Sequence, residues 1–416
     1  QDMYRSGWKC AGTAVPVFSL RTEDSFGIGD FHDLKKLVDW VAATGQRVIQ
    51  LLPVNDTTMT GTWTDSYPYS ANSIYALHPQ FVYLPDAGVR RDAKYKALKA
   101  ELEALTEIDY ERVNQEKDRL MRKAFASTWA NVSVSAEYQK FIKDNAEWLD
   151  AYCAFRILLH KTGTGDSAKW GKYATYSAKK AASVLAENRE EADYQSFVQF
   201  HLHKQLVDAR NYARKHGVTF KGDLPIGVSR TSVDAWQHPS QFNMNSQAGA
   251  PPDAFSADGQ LWGFPTYNWD KMEEDNFAWW KARLKNYPYF SVCATSTHDM
   301  SPLRAWWKED RGVTQRFWNQ ILGKPGEAPA DCTPDISLSI IMMHLQSASM
   351  LAILPLQDYL SLKPELCLAD PDKERINVPA ISPFYWRFRM KTTIETLIND
   401  DITVYLRTLI RNCGRR

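Results

Sequence analysis

Several features that would place this chain quickly are missing from it. No apolar run approaches the length of a membrane-crossing helix, so no membrane partner is expected. The N-terminal stretch QDMYRSGWKC shows no basic-then-apolar leader pattern. Neither sign of charge dominates: 50 Lys+Arg face 49 Asp+Glu, a net charge of +1. That balance leaves no electrostatic footprint for nucleic acid or an anionic surface. The six cysteines (Cys10, Cys153, Cys293, Cys332, Cys367, Cys413) are scattered, with no CxxC. This argues against a zinc site or a disulfide framework, and it fits a reducing, cytoplasmic location. Neither a metal-ligand cluster nor a phosphate-binding glycine loop is present, so no cofactor is expected. Internal repeats and low-complexity segments are also absent.

Aromatic residues are plentiful: 15 Trp, 19 Tyr and 18 Phe among 416 residues. For any single ring the ordinary explanation is a large core. Rings clustered in Gly/Pro-rich loops invite another, because flat apolar faces beside hydrogen-bonding groups suit sugar rings.

Along the chain, AVPVFSL (14–20) has strand character, weakened by Pro16. FHDLKKLVDWVAATG (31–45) has apolar residues at helical spacing and Gly45 as a stop. RVIQLLPV (47–54) is a buried strand leading into a polar, aromatic loop (55–73), and FVYL (81–84) is a peripheral strand candidate. This is the grammar of a parallel α/β fold. Residues 87–217 turn charged and helical and form an insertion with a solvated face. Strand patterns resume at 218–228, 289–297 and 348–356, a helical stretch NFAWWKARLKN (276–286) precedes the second of these, and YWRFRMKTTIETLIND (385–400) is a closing helix. Five main parallel strands result, most of them ending in a polar loop. Functional residues at strand C-terminal ends are typical of a (β/α)8 barrel, which needs eight.

Four carboxylates stand out. Asp299, beside His298, follows the strand at 289–297, where a catalytic carboxylate is productive; a helix N-terminus before SPLRAWW explains it equally well. Asp223 in GDLPIGV is better explained as a structural partner of an Arg or a backbone donor. Asp56 and Asp65 are turn residues. The stretch GAPPDAFSADGQLWGFPTYNW (249–269) could be a sugar-stacking rim or a lid packed on its own aromatics.

GWKCAGTAVPVFSLRTEDSFGIGDF, QLLPVNDTT, SYPYSANSIYALHP, GDLPIGVSRTSVDAW, GAPPDAFSADGQLWGFPTYNW and STHDMSPLRAWW together resemble glycoside hydrolase family 77 over nearly the whole chain. Its members are 4-α-glucanotransferases, or amylomaltases. The plant cytosolic and Bacteroides-type subgroup, whose members carry N-terminal starch-binding modules, is the most similar; those modules have no match here. The resemblance implies a (β/α)8 barrel and retaining transfer of α-1,4-glucan segments between maltooligosaccharides. It implies that Asp299 in STHD is the transition-state-stabilising carboxylate, with His298 beside it. It implies further that Tyr69 in YPY, Asp253 in PPD, Gln260 and Trp262 in GQLWG, and His298 bind substrate; the missing metal-ligand cluster separately argues that no metal takes part.

One departure matters. The family's nucleophile sits in R-I-D-H after the fourth strand and its acid/base in G-E-D-L-G after the fifth, and neither motif occurs in these 416 residues. A helix resembling NFAWWKARLKN leads in the family to the nucleophile strand. Here it runs into YPYFSVCATSTHDM, which resembles the seventh strand. The expected organisation is therefore a first part of a barrel (1–86), a helical insertion (87–217) and the remainder (218–416). Strands four to six are expected to be absent at a junction near residues 286–287, either because the polypeptide is deleted there or because a segment that belongs there is not among these 416 residues. Taken as they stand, the 416 residues are expected not to disproportionate maltotriose, the alternative function being non-catalytic α-glucan binding. A barrel lacking three adjacent strands would expose two sheet edges, an aggregation hazard.

Overall fold

The computed structural model describes residues 8–225, 227–252, 257–279 and 292–415. Five strands form one parallel sheet: β1 (Cys10–Ala14), β2 (Val48–Gln50), β3 (Thr219–Lys221), β4 (Val292–Cys293) and β5 (Leu351–Pro355). Their spatial order is β3-β2-β1-β5-β4, with every neighbouring pair parallel. The long central strand β1 pairs Gly12 with Val48 on one side and with Ile353 on the other. Gly12 has to be glycine, because a Cβ there would lie 2.7 Å from the Val48 carbonyl oxygen. The sheet is curled: Lys221 of β3 and Val292 of β4, at its opposite edges, line the same cavity of about 270 Å³.

Five longer helices bear on the argument: α1 (Phe31–Ala43), α2 (Tyr110–Val132), α3 (Ala136–Thr162), α4 (Arg189–Lys215) and α5 (Asp401–Asn412). Asp30 starts α1 by accepting from His32 and Asp33, while the Asp33 side chain accepts back from Asp30, a reciprocal cap. The helix buries Phe31, Leu34, Leu37, Val38 and Val41, the spacing read from the sequence, and Trp40 with them. Trp40 donates its indole N–H to Thr403 of α5 at 3.1 Å, and Tyr212 of α4 donates to Asp39 at 2.6 Å. A helical 87–217 and the termination of α1 before Gly45 (φ 79°) agree with the sequence.

Three expectations are corrected. The first strand lies at 10–14, not 14–20, because Pro16 has no N–H to donate and Val17–Ser19 closes into a 3₁₀ turn. FVYL is not a strand. The N–H and C=O of Tyr83 are taken by the side-chain amide of Gln205 at 2.8 and 2.9 Å, and buried Lys117 caps the Gln80 and Val82 carbonyls at 2.6 and 2.8 Å. Residues 385–393 are not helical either. They run along 19–21, with Met390 N donating to Ser19 O and Ile394 N to Arg21 O, both at 3.0 Å, and the closing helices are Ile394–Asn399 and α5. The helical stretch 276–286 lies mostly outside the described residues; Asn276 and Phe277 turn with positive φ, and 278–279 are helical. Residues 280–291, including the junction near 286–287, lie outside the described residues.

His78 tests how firmly the loop after β2 is held. It is 3% exposed, and its ring nitrogen accepts from Gln80 N at 3.1 Å, starting the turn Pro79–Phe81. Burial depresses its pKa to about 4, against which the Asp56 charge acts only in part. A depressed pKa contributes stability that is complete above the unfolded value, near pH 6.5, and is lost as pH falls through 4. His78→Asn keeps a capping acceptor and removes the titration. Urea unfolding from pH 7 to pH 4 should show wild type losing about 2–3 kcal/mol relative to this variant. Parallel pH curves would show that His78 is not held neutral.

Candidate active site

The chain leaving β2 is knotted before it reaches the site. Asp56, fully buried, accepts from Thr58 N at 2.9 Å and from the Tyr152 hydroxyl of α3 at 2.8 Å. Asp65 gathers the N–H groups of Met59, Thr60 and Gly61. Both are the turn-forming carboxylates the sequence led one to expect, and together they present SYPYS (66–70) as a fixed platform.

From that platform Tyr69 reaches in two directions. Its hydroxyl donates to Asp223 Oδ2 at 2.5 Å, and its ring stacks on the His298 imidazole, with centroids 5.2 Å apart and planes 24° apart. Asp223 follows β3, and His298 follows β4, so one tyrosine joins the exits of the two edge strands. Trp386, 2% exposed, backs this contact with centroids 5.5 Å from Tyr67, 6.3 Å from Tyr69 and 6.1 Å from His298. Phe264 lies nearly parallel to Tyr67 at 6.3 Å. Asp299 is held by Asn377, whose Nδ2 donates to Oδ1 at 2.7 Å and whose backbone N–H donates to the His298 carbonyl at 3.0 Å. The Asp299 carboxylate stays 42% exposed, and His298 Nε2 lies 3.3 Å from it. It borders a cavity of about 520 Å³ whose other walls include Trp306, Glu309 and Arg375.

The electrostatics keep both phenols protonated. Burial, then the charge of Asp299, pushes Tyr67 up to about 12. Burial, then Asp223, pushes Tyr69 higher still. Two neutral donors therefore face two carboxylates, an arrangement able to bind hydroxylated ligands and to stabilise a positive charge beside Asp299. No group of three metal-ligating side chains occurs among the described residues.

Of the residues singled out from the sequence, Tyr69, His298 and Asp299 come together. Asp299 is not a helix cap: the helix Leu303–Glu309 starts from Pro302, and the Leu303 N–H is taken by Asp358. Asp223 does have a structural partner, but it is the Tyr69 hydroxyl rather than an Arg. Gln260 and Trp262 sit on a ribbon in which Gly249–Ala250 pairs with Gln260–Leu261, and the Trp262 indole donates to Gln260 Oε1 at 3.1 Å. Phe264, two residues on, packs this ribbon onto the cluster. Asp253 lies outside the described residues. Trp386, Asn377, Tyr67 and Phe264 went unremarked. Tyr67 and Phe264 lie inside the family-like motifs SYPYSANSIYALHP and GAPPDAFSADGQLWGFPTYNW, Asn377 carries no local signal, and Trp386 lies in a segment whose spacing reads as helical.

The family described as 4-alpha-glucanotransferase (glycoside hydrolase 77) matches residues 15–286 and 283–395. The chain is 28% identical to a 4-alpha-glucanotransferase DPE2 of Oryza sativa subsp. japonica, covering 99% of this chain and 70% of the rice protein. It is 25% identical to a 4-alpha-glucanotransferase of Chlamydia pneumoniae, covering 94% of each. The two aligned spans, 663 and 503 residues, are longer than this chain, so each relative carries sequence without a counterpart here. Among solved structures, an amylomaltase from Streptococcus agalactiae in complex with acarbose shares the fold. Its TM-score is 0.80 at 18% identity, over 98% of this chain and 99% of that one. The chain belongs to the 4-alpha-glucanotransferase family, glycoside hydrolase 77, whose enzymes transfer glucan segments.

The cluster makes a stability prediction. Trp386→Ala should cost about 3–5 kcal/mol, because it empties the space behind three rings. Tyr69→Phe should cost only about 1–2 kcal/mol, because stacking is kept and one hydrogen bond to a solvent-reachable carboxylate is lost. Equilibrium denaturation of both variants checks this, and equal costs would contradict it.

Proposed function

We propose that Tyr69, His298 and Asp299 form the substrate-binding and charge-stabilising part of a glucan-transfer site acting on α-1,4-glucans and maltooligosaccharides. The observation that carries the proposal is the Tyr69 bridge between Asp223 and His298, which holds Asp299 where parallel strands end. Retaining transfer passes through an oxocarbenium-like state, and an ionised carboxylate held beside the reacting sugar stabilises that charge. Asp299 has this role, and the half-buried ring of Tyr69 offers the sugar a flat wall. Gln260 and Trp262, on the ribbon that Phe264 ties to Tyr67, add a polar-aromatic rim, and Asp253, outside the described residues, is assigned to the same substrate-binding set by the family resemblance. The acarbose held by the Streptococcus amylomaltase supports a maltooligosaccharide-like ligand.

The same proposal covers architecture. The order β3-β2-β1-β5-β4 is the order an eight-stranded barrel would have without its fourth, fifth and sixth strands. Residues 1–86 and 218–416 are barrel, 87–217 an insertion, and the junction lies near 286–287. The two family matches, which meet at 283–286, support that position. No nucleic acid or membrane partner is proposed, and no helix among the described residues is long and apolar enough to cross a membrane. A cytoplasmic location rests on six cysteines that are all unpaired.

Retaining transfer also needs a nucleophile and an acid/base about 5–5.5 Å apart. Without R-I-D-H and G-E-D-L-G, the 416 residues hold the binding part of the site, and turnover requires the segment that bears those motifs. The second reading, a glucan-binding protein without catalysis, is favoured by the same two missing motifs. Glucose release from maltotriose decides, run on protein whose intact mass matches these 416 residues. The expected result is no release above a blank. Robust release would show that other carboxylates, Asp223 among them, do the covalent chemistry.

A further inference from the structure

Asp358 stands one short helix beyond β5, in Leu356–Leu360, and is fully buried. Nothing in the site as described makes use of it. Its Oδ2 accepts from the Thr295 hydroxyl, and its Oδ1 accepts from the Leu303 N–H at 2.8 Å. Thr295 and Leu303 flank Asp299 at equal distance, before and after it in the chain. One buried carboxylate therefore ties both ends of the loop that bears His298 and Asp299. Its neighbour Gln357, 4% exposed, donates to the Glu374 carbonyl at 3.0 Å and so fixes the segment that carries Asn377, the donor to Asp299. Between its ends the loop has few ties of its own. Met300 N donates to Thr297 O at 3.1 Å, and Asp299 N reaches the Thr297 hydroxyl only at 3.4 Å.

We propose that Gln357–Asp358 is a positioning element for the glucan site, with Asp358 acting through Thr295 and Leu303 to set where the Asp299 carboxylate points. The proposal rests on the assignment of Asp299 to glucan binding. A carboxylate suits the task because it offers two acceptors in one plane, one for each end of the loop, and ionised acceptors hold donors more strongly than neutral ones. An asparagine there would supply only one.

Asp358→Asn tests the carboxylate directly but disturbs a buried group, so the decisive variants are at Thr295. Thr295→Val keeps the shape and removes the donor, and Thr295→Ser restores it. Calorimetric titration with maltoheptaose is run on wild type, on these two, on Asp299→Asn and on the double variant Thr295→Val/Asp299→Asn. Thermal melts confirm folding. Thr295→Val should weaken binding threefold to tenfold, and Thr295→Ser should bind within twofold of wild type. In the Asp299→Asn background, Thr295→Val should change the dissociation constant by less than twofold, because residues acting through one another are not additive. Equal losses in both backgrounds, or no loss in wild type, would overturn the proposal. If Asp299→Asn binds like wild type, the assignment of Asp299 itself fails. Any effect of Thr295→Val would then arise without Asp299, and the positioning proposal falls with it.

Discussion

The hydrogen bond from Tyr69 to Asp223, with the Tyr69 ring laid on His298, is the contact on which the arrangement of the site depends. Its two partners leave β3 and β4, the outer strands of the five-stranded parallel sheet among the described residues. Tyr69 itself comes from neither, but from the loop after β2, anchored by Asp56 and Asp65. Three loops of different origin are thereby held in one place by a single side chain. Burial and nearby carboxylates keep that phenol protonated and hence a donor. Trp386 and Phe264 fill the apolar side of the cluster, while Asn377 holds Asp299 on its wet side.

Parallel strands are normally covered on both faces and closed or flanked at their edges, and among the described residues the sheet ends at β3 and β4. Here much of the sheet is covered. The helices around it bury a continuous core that includes Trp40, Trp307 and Trp386. The edges are less protected: Val292 of β4 is 39% exposed and Thr219 of β3 is exposed. Elsewhere the fold replaces missing ladders with side chains. Gln199 pairs with both backbone groups of Leu77, and Gln205 does the same for Tyr83. Helix α4 thus serves the loops of the sheet with its polar side chains, while its Tyr194, Phe197, Val198, Leu202, Ala209 and Ala213 pack in the main core.

Much of this was legible in the sequence, and what was not has physical reasons. The amphipathic period of α1, the apolar run of β5 and the helical character of 87–217 are strong local signals, and the structure follows them. The strand limit at Pro16 has a local cause that the apolar run 14–20 masked, whereas the fate of FVYL depends on an amide supplied by Gln205 of α4. Long, specific motifs marked Tyr69, His298 and Asp299. Trp386 and Asn377 had no comparable motif, and their place in the site follows only from how 377–386 runs back across the strand ends. Asp223 looked like a structural residue and is one, but its partner, 154 residues earlier in the chain, could not have been named from spacing.

The most direct measurement is a crystal structure of this protein with maltoheptaose bound. The expected result places one glucose ring within hydrogen-bonding distance of the Asp299 carboxylate and against Tyr69, with the Tyr69 hydroxyl still on Asp223. Sugar bound only elsewhere on the molecule, or Tyr69 swung away from both Asp223 and His298 with the cluster otherwise intact, would contradict it.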